Sequence, residues 1–185
     1  MGNQQAKVSD IIWLSGFTDG EGCFTFKGGF QDGGFYYYPS WIIANTDMHT
    51  LECVKEILDD IGVGYNVSLR RRKNPNWKPS WCVIIQGFKR LDKFLPVIEP
   101  YLKTKSEQCK KMRAWIQLRR NHTYNLGNNN ASTRHQKQAG RKAATVPYSE
   151  QELQLITEVK SYNAIGGRKP SHLLAPQTKR FPNNS

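Results

Sequence analysis

Hydrophobic and polar positions follow the helical and the strand period in turn along the first part of the chain. Residues 11–17 are mostly apolar and follow the helix-start residues Ser9 and Asp10, which predicts a short helix buried on most sides. Polar and apolar side chains alternate over residues 23–27, the period of a strand, and glycines separate them from an aromatic and β-branched strand over residues 36–43. This pattern predicts a helix followed by a β-hairpin.

A second helix and a second pair of strands follow in the same order. Apolar residues spaced three and four apart over residues 51–61 predict an amphipathic helix, with Thr46 or Asp47 as its N-terminal cap. Residues 65–72 and 77–85 predict a third and a fourth strand, separated by an Asn-Pro-Asn turn. The order of elements is thus repeated, although the sequence motif of the first helix is not.

The remaining periodic segments are predicted to be helical. Residues 91–98 predict a short helix and residues 104–120 a longer, basic one. Ser149 and Glu152 have the spacing of a capping box, which predicts the start of a final helix. The order αββαββα, with an extra C-terminal helix, places the chain in the α+β class.

Composition divides the chain into four segments. Residues 1–120 contain the periodic patterns and form the predicted core of the domain. Residues 121–148 are rich in Asn and contain no acidic residue, so we expect a polar, basic loop or excursion. Residues 149–168 are the predicted C-terminal helix of the same domain, and residues 169–185 are an irregular tail.

Charge narrows the class of partner. The 185-residue chain has a net charge of +12 and a pI near 9.7, so a polyanion, above all a nucleic acid, is the expected partner. Residues 1–64 nevertheless carry nine acidic and three basic side chains, whereas residues 65–120 carry 15 basic and three acidic ones. Acidic groups near a nucleic acid are repelled unless a metal ion bridges them. We therefore expect a metal-binding carboxylate in the first third.

Other features argue against several classes of protein. No apolar run of 18 residues is present, so we expect no transmembrane helix and no membrane partner, and the first residues lack the pattern of a signal peptide. The four cysteines include no CxxC pair, which argues against a structural zinc site. Free thiols without a secretion signal predict an intracellular, reducing compartment, either the cytoplasm or an organelle matrix.

The end of the first helix combines features that a purely structural helix does not need. Gly16 and Gly20 are four residues apart, so another backbone can approach this helix closely. Asp19 and Glu21 lie at its C-terminal end, where the helix dipole disfavours negative charge. A lysine, an arginine or a divalent metal ion should compensate, unless the acidic end is simply solvated.

Residues 14–22, Leu-Ser-Gly-Phe-Thr-Asp-Gly-Glu-Gly, resemble the LAGLIDADG motif of homing endonucleases, in the variant with Glu at the eighth position. Residues 45–47, the Pro-Tyr-Leu-Lys-Thr-Lys run at residues 100–105 and residues 160–168 are similar to further segments of that family. The resemblance implies an antiparallel β-saddle with helices on its back. It also implies a homodimer, because family members with a single motif pair two copies around a shared active site.

The resemblance implies a chemical role for each matching residue. Glu21 matches the metal ligand, with the Gly20 carbonyl as a further ligand and Asp19 as the second candidate. Lys105 matches a lysine that would stabilise phosphate charge or act on the attacking water, a phosphate contact being the alternative. Thr46 matches a polar group that positions water, a helix cap being the alternative. The implied cofactor is Mg²⁺, in a site that Mn²⁺ or Ca²⁺ can also occupy.

The implied partner is double-stranded DNA with a long, pseudo-palindromic target site. The alternation along the strands predicts which side chains face it. We expect DNA contacts from Cys23, Thr25, Lys27, Gln31, Asn66, Ser68, Arg70, Arg72, Lys78, Ser80, Cys82 and Lys103. The predicted dimer interface consists of Trp13, Gly16, Phe17 and Gly20.

Three functions are compatible with these residues. A metal-dependent, sequence-specific DNA endonuclease of the intron- or intein-homing kind is favoured, because the motif acid Glu21 is present. The alternatives are an RNA-binding maturase that acts on its own intron, and a DNA-binding regulator that kept the fold without cleavage. His122 and His135 do not have the spacing of an HNH nuclease. The basic side chains of residues 110–120 are expected to neighbour phosphates or to form a solvated face.

Overall fold

The computed structural model describes residues 7–31, 34–70, 74–127 and 147–163. Its helices are α1 (Val8–Glu21), α2 (Met48–Asp60), α3 (Phe88–Ile98), α4 (Ser106–Gly127) and α5 (Glu150–Tyr162), and a 3₁₀ turn, Glu99–Tyr101, follows α3. The strands are β1 (Gly22–Gln31), β2 (Gly34–Asn45), β3 (Asn66–Leu69) and β4 (Trp81–Gln86). The elements begin in the order αββαββα, so the predicted α+β fold class is confirmed.

The four strands form one antiparallel sheet in the order β1-β2-β4-β3. Phe24, Trp41 and Ile85 lie side by side across β1, β2 and β4, and all three are fully buried. They define the core face of the sheet. The residues that alternate with them point to the opposite side, which is called the outer face below.

The helices pack against the core face and bury one continuous apolar core. Its largest fully buried side chains include Trp41 of β2, Phe94 of α3 and Trp115 of α4. The rings of Trp41 and Phe94 are in contact, with centroids 4.8 Å apart. Removing such large rings from water is the main favourable contribution to folding. The predicted arrangement, a sheet with helices on its back, is confirmed.

The third and fourth strands are shorter than the predicted segments at residues 65–72 and 77–85. The Arg70 amide still donates a hydrogen bond to the Ser80 carbonyl, at 2.8 Å, one residue beyond the end of the ladder. The chain then turns at Asn74, whose side chain and carbonyl both accept hydrogen bonds from backbone amides of the turn. A turn anchored in this way stops the pairing earlier than the apolar pattern suggested.

Helix α4 is longer than predicted, because it continues to Gly127 and not only to residue 120. Gly127 is the first glycine or proline after the predicted helix, so nothing in the sequence stops it earlier. Residues 128–146 and 164–185, including the predicted tail, lie outside the described residues. No described helix is long and apolar enough to cross a membrane.

Helix α1 is less buried than its apolar composition suggested, so the expectation of burial on most sides is wrong. Ile11 and Leu14 are 6% and 0% exposed and face the core. Ile12 and Trp13 lie on the other side and are 50% and 42% exposed. The helix therefore has two apolar sides, of which the described chain buries one.

Helix α5 is fixed to the core by polar contacts as well as by packing. The predicted capping box at its start is present. The buried Glu152 carboxylate lies 3.6 Å from the guanidinium of Arg119 in α4, which is also 4.1 Å from the centroid of the Tyr148 ring. At the other end, the Asn163 amide donates a hydrogen bond to the Phe24 carbonyl at 2.7 Å. These contacts hold α5 against both α4 and β1.

Candidate functional site

Asp19, near the end of α1, joins two segments that are far apart in sequence. Its carboxylate accepts hydrogen bonds from the backbone amides of Lys103, at 2.6 Å, and Lys105, at 2.9 Å. Partial burial raises the pKa of Asp19, but these hydrogen bonds and those from Thr104 outweigh it and leave the pKa below its ordinary value. Both carboxylate oxygens hold the turn before α4, so Asp19 fixes the end of α1 in place.

Lys105 supplies the positive charge that the acidic end of α1 requires. Its ammonium donates hydrogen bonds to the carbonyls of Thr18, at 3.0 Å, and of Asp19. Carbonyls in the last turn of a helix lack partners within the helix and carry the negative end of its dipole. The cation expected from the sequence is thus a lysine, from the Pro-Tyr-Leu-Lys-Thr-Lys run at residues 100–105.

Glu21 differs from Asp19 in having no such partner. It is the last residue of α1, and its side chain is exposed. Within the described ranges, its carboxylate makes neither a hydrogen bond nor an ion pair. Lys105 and the turn at Lys103 hold the helix end on which it stands. Glu21 is therefore a carboxylate on a fixed support, available to bind a cation.

The donor atoms near Glu21 suit a divalent metal in type but not in number. Its carboxylate and the backbone carbonyl of Gly20 are the oxygen ligands that Mg²⁺ prefers. The described residues contain no group of three or more His, Cys, Asp or Glu side chains that could hold a metal ion. Among the described residues, Glu21 and the Gly20 carbonyl are therefore too few oxygen donors to form a complete metal site by themselves.

Thr46 lies at the same end of the sheet as the end of α1. Gly22, the first residue of β1, pairs with Ile43 of β2, and Thr46 comes three residues after Ile43. The cap of α2 is Asp47, whose carboxylate accepts hydrogen bonds from two backbone amides of that helix. The helix-cap alternative for Thr46 is therefore wrong, and Thr46 is exposed beside the site.

The predicted interface residues share one side of α1. Trp13 stacks on Phe17, with ring centroids 5.2 Å apart, and both glycines lie within one turn of this pair. A Cβ atom built on Gly16 or Gly20 would meet no atom of the described chain within 4 Å. The glycines are therefore not required by packing inside the chain. They leave room for a molecule outside it.

The outer face carries most of the predicted DNA-contact residues. The register places Cys23, Thr25 and Lys27 on it, while Phe24 and Phe26 between them are buried as expected. The same face continues across β4 to β3 and beyond the ends of these strands. The predicted contact residues of that part are Asn66, Ser68, Arg70, Ser80 and Cys82.

The other predicted contact residues are buried, lie outside the strands, or lie outside the described residues. Cys82 is on the outer face but only 7% exposed, so its thiol offers little surface to a ligand. Lys78 lies in the exposed segment before β4, and Lys103 in the turn that Asp19 holds. Arg72 and the side chain of Gln31 lie outside the described residues.

Positive charges converge on the start of β1. Burial raises the pKa of the Cys23 thiol, whereas the charges of Lys105, Arg70 and Lys27 act to lower it. These three cations come from three separate segments, so the fold brings them to one part of the outer face. Among the described residues, Lys27, Arg70 and Lys78 form no ion pair. Their charge is available to a polyanion.

Basic side chains of α4 are paired with acidic ones. The pairs are Lys110 with Glu107, Lys111 with Glu158, Arg113 with Glu99, Arg119 with Glu152 and Arg120 with Asp92. The first two have nitrogen-to-oxygen distances of 2.8 and 2.6 Å. Much of the excess positive charge of this helix is therefore neutralised within the chain.

Strand β2 also contributes to the outer face, and the sequence patterns missed it. Its outer-face residues and the β4 residue beside them are Tyr36, Tyr38, Ser40, Ile42 and Gln86. Aromatic and apolar residues occupy nearly every position of this strand, which hides the period of two. The available signal was the large side chain of Trp41, which is adjacent to Ile42 in sequence and fills the core.

Solved structures with the same fold are LAGLIDADG or related homing endonucleases. The homing endonuclease I-CvuI, in complex with its target and Ca, matches with a TM-score of 0.55 and 16% sequence identity, over 88% of this chain and 87% of that one. The archaeal intron-encoded homing endonuclease I-Vdi141I, complexed with DNA, matches with a TM-score of 0.50 and 18% identity, over 84% and 97%. These identities establish a shared fold.

A longer protein has the same fold in part of its chain. The LAGLIDADG homing endonuclease I-GzeII, in complex with its DNA target, matches with a TM-score of 0.51 and 17% identity, over 81% of this chain but only 43% of that one. No protein-family model and no curated protein sequence matches the chain. The chain has the fold of the LAGLIDADG homing endonucleases, so the resemblance seen in the sequence is confirmed at the level of the fold.

Proposed function

We propose that the chain is a sequence-specific, metal-dependent endonuclease that acts on double-stranded DNA as a homodimer. The observation that carries this proposal is Glu21, an exposed carboxylate without a partner in the described chain. It stands at the end of a helix whose glycine side is open, and beside a sheet face with unpaired cations. The fold shared with the DNA-bound enzymes I-CvuI and I-Vdi141I supports it.

A second copy of the chain would complete the site. Two α1 helices that meet at Gly16 and Gly20 would cover Trp13 and Phe17 and bring the two Glu21 carboxylates together around a twofold axis. Covering the exposed side of α1 in this way also removes apolar surface from water. The incomplete donor set of one chain and its uncovered apolar helix side then have the same explanation.

The residues at the end of α1 have complementary roles in the proposed site. The two Glu21 carboxylates and the Gly20 carbonyls would hold Mg²⁺, and bound Mg²⁺ supplies charge that polarises a phosphate and lowers the pKa of water. Asp19 and Lys105 fix the helix end, so that Glu21 does not have to be ordered when DNA binds. Thr46, at the same end of the sheet, is the group to orient a water molecule.

The outer face is the proposed DNA interface. Lys27, Arg70 and Lys78 would contact phosphates or guanine edges, and polar residues such as Thr25 and Asn66 would contact bases of the major groove. Two copies related by a twofold axis present the same face to both halves of the target. The target is therefore expected to be pseudo-palindromic.

The structure favours cleavage over the other two functions. A regulator that only binds DNA has no use for the free carboxylate of Glu21 at the end of a rigidly held helix. For RNA binding by a maturase, α4 is a poor candidate surface, because among the described residues much of its basic charge is neutralised by acidic partners. Cleavage of DNA uses both features of the site, the free acid and the cationic sheet face.

A plasmid-cleavage selection tests the proposal directly. The full-length chain is incubated with a library of plasmids that carry random inserts, with Mg²⁺ or with a chelator, and linear products are sequenced. A reductant is present because all four cysteines are free thiols, as expected of a protein from an intracellular, reducing compartment. We expect linear products that share one pseudo-palindromic sequence, and only with Mg²⁺. Selective binding without cleavage would overturn the proposal in favour of a regulator.

A further inference from the structure

A row of apolar side chains crosses the outer face of the sheet near Glu21. Cys23 of β1 pairs with Ile42 of β2, and Ile42 pairs with Ile84 of β4. These three residues are called the apolar row below. Their neighbours along the strands, Trp41 and Val83 among them, are fully buried on the core face, so the apolar row points the other way.

The apolar row ends at the polar Asn66 of β3, borders Ala44 and Cys82 on the side towards Arg70, and differs from the row on its other side. The next row along the sheet consists of Thr25, Ser40 and Gln86, all of them polar. Cations stand on both sides of the apolar row, with Lys27 further along β1 and Arg70 just beyond β3. The ligand that fits this face is a polyanion that offers an apolar group near the end of α1.

From this juxtaposition we infer that Ile42 and Ile84 read thymine through its 5-methyl group in the target DNA; the inference rests on the proposed function. The major-groove edges of the four bases present hydrogen-bond donors and acceptors, and thymine adds a methyl group. Isoleucine has no hydrogen-bonding group in its side chain, so facing any other base edge would remove water from polar atoms without replacing its hydrogen bonds. Thymine is the base whose edge the apolar row matches.

The register also indicates where in the target this base lies. Cys23 is two residues beyond Glu21 on a continuous run into β1, so the backbone of the apolar row at Cys23 is roughly 7 Å along the strand from the backbone of Glu21. This distance equals about two base-pair rises of the DNA helix. The thymine is therefore expected in the inner part of each half-site, nearest the cleavage position, and not at its outer end.

Uracil substitution tests this inference, because deoxyuridine differs from thymidine only by the missing methyl group. The full-length chain is first used to select its preferred duplex from a random library without divalent ions, so that the DNA stays intact. Each thymine of the selected site is then replaced by deoxyuridine, and dissociation constants are measured. We expect about four-fold weaker binding for each inner thymine replaced, the effect of one methyl group lost from an apolar contact.

Two variants and a control assign the effect to the apolar row. Ile42→Ser and Ile84→Ser remove the methyl groups from the apolar row and add a hydroxyl, so each variant should discriminate less between the thymine and uracil duplexes than the wild type does. Val67→Ser is the matched control, because Val67 is 42% exposed on the opposite side of the sheet. This variant should keep the four-fold discrimination. Thermal unfolding of all three variants verifies that they are folded.

The outcomes separate this inference from the proposed function. A selected site without inner thymines, equal binding of thymine and uracil duplexes by the wild type, or unchanged discrimination in both isoleucine variants would overturn the inference and leave the proposed function standing. If the wild-type chain enriches no duplex at all, the proposed function fails, and the inference fails with it.

Discussion

The outer face of the sheet and the surface of α4 both carry many basic residues, but they use them differently. Lys110, Lys111 and Arg120 of α4 each lie beside a carboxylate of a neighbouring turn or helix. On the sheet side, Lys27 and Arg70 have no acidic partner among the described residues. The basic residues of α4 are thus largely balanced by acidic partners, while Lys27 and Arg70 of the sheet keep an unpaired charge.

This difference shows that the number of basic residues does not locate a binding surface for a polyanion. Residues 65–120 contain more than half of the lysines and arginines of the chain, and a count alone does not distinguish α4 from the strand segments before it. Exposed ion pairs contribute little to stability, yet they reduce the field that a distant phosphate feels. The unpaired cations of the sheet are therefore the ones that should govern DNA binding.

The largest expected effect comes from Glu21→Gln. This change keeps the shape of the side chain but removes the charge that would bind the metal, so cleavage should fall at least about a hundred-fold while DNA binding stays nearly unchanged. Plasmid linearisation and a gel-shift assay measure the two quantities. Glu107→Gln on α4 is the matched control and should cleave normally, because Glu107 only pairs with Lys110. Undiminished cleavage by Glu21→Gln would contradict the assignment.

The second largest effect is expected from Gly16→Val, which tests whether two chains associate through α1 and so join their sheet faces into one interface. In the described chain, a Cβ atom added at Gly16 would have no neighbouring atom within 4 Å, so an isolated subunit should tolerate Gly16→Val. In a dimer the valine would separate the two α1 helices, at a cost of about 1–3 kcal/mol from overpacking, which weakens association roughly 5- to 150-fold. Analytical ultracentrifugation measures this. A wild-type chain that sediments as a 21.2 kDa monomer and still cuts both strands would exclude the dimer.

Salt dependence tests the comparison of the two basic surfaces itself. Lys27→Ala and Arg70→Ala should each lower the slope of log K against log salt by about two per dimer, because each copy loses one phosphate contact. Lys110→Ala and Arg120→Ala remove the same charge from α4 and should leave the slope unchanged. Fluorescence anisotropy at several salt concentrations distinguishes the two groups. Equal slopes for all four variants would mean that pairing does not decide which cations bind DNA.

The smallest effect is expected from Asp19→Asn, as a loss of stability. The hydrogen bonds from the turn at Lys103 favour the charged carboxylate, and this variant should lose about 1 kcal/mol in the free energy of unfolding at pH 7. Because the pKa of Asp19 is lowered from 3.8 in the folded chain, its contribution is complete above that value and disappears as the pH falls through the lower folded pKa. Urea unfolding at a fixed protein concentration should therefore show a difference at pH 7 that shrinks below pH 4. A constant difference would contradict this origin.

Local periodicity was enough to predict the fold and one half of the outer face of the sheet. Phe24 and Phe26 alternate with Cys23, Thr25 and Lys27, so the sequence of β1 shows which side chains face the core and which face outward. The pattern failed at β2, where Ile42 on the outer face is as apolar as Trp41 in the core. A strand with apolar residues on both sides has no visible period, and only its pairing with two neighbours shows which face each residue occupies.

The resemblance ranked Glu21 ahead of Asp19 as the metal ligand, but the local sequence contains no physical reason for this ranking. Asp19 and Glu21 are two carboxylates of the same motif, and nothing local distinguishes them. What separates them is the turn at Lys103, 84 residues away from Asp19, which occupies one carboxylate and leaves the other free. Likewise Asp47 takes the cap of α2 because of the exact backbone geometry there, which left Thr46 exposed. Contacts across such distances depend on packing that a sequence pattern does not contain.

The same long-range contact has a consequence for the order in which the protein is made. Glu21 and the whole of α1 leave the ribosome early, but the amides and the ammonium that hold the end of α1 belong to Lys103 and Lys105. Domains form during synthesis only as far as their partners have emerged. A nascent chain that stops before residue 103 therefore has the motif but not its support. Truncated products of translation should therefore carry Glu21 without the contacts that fix the end of α1.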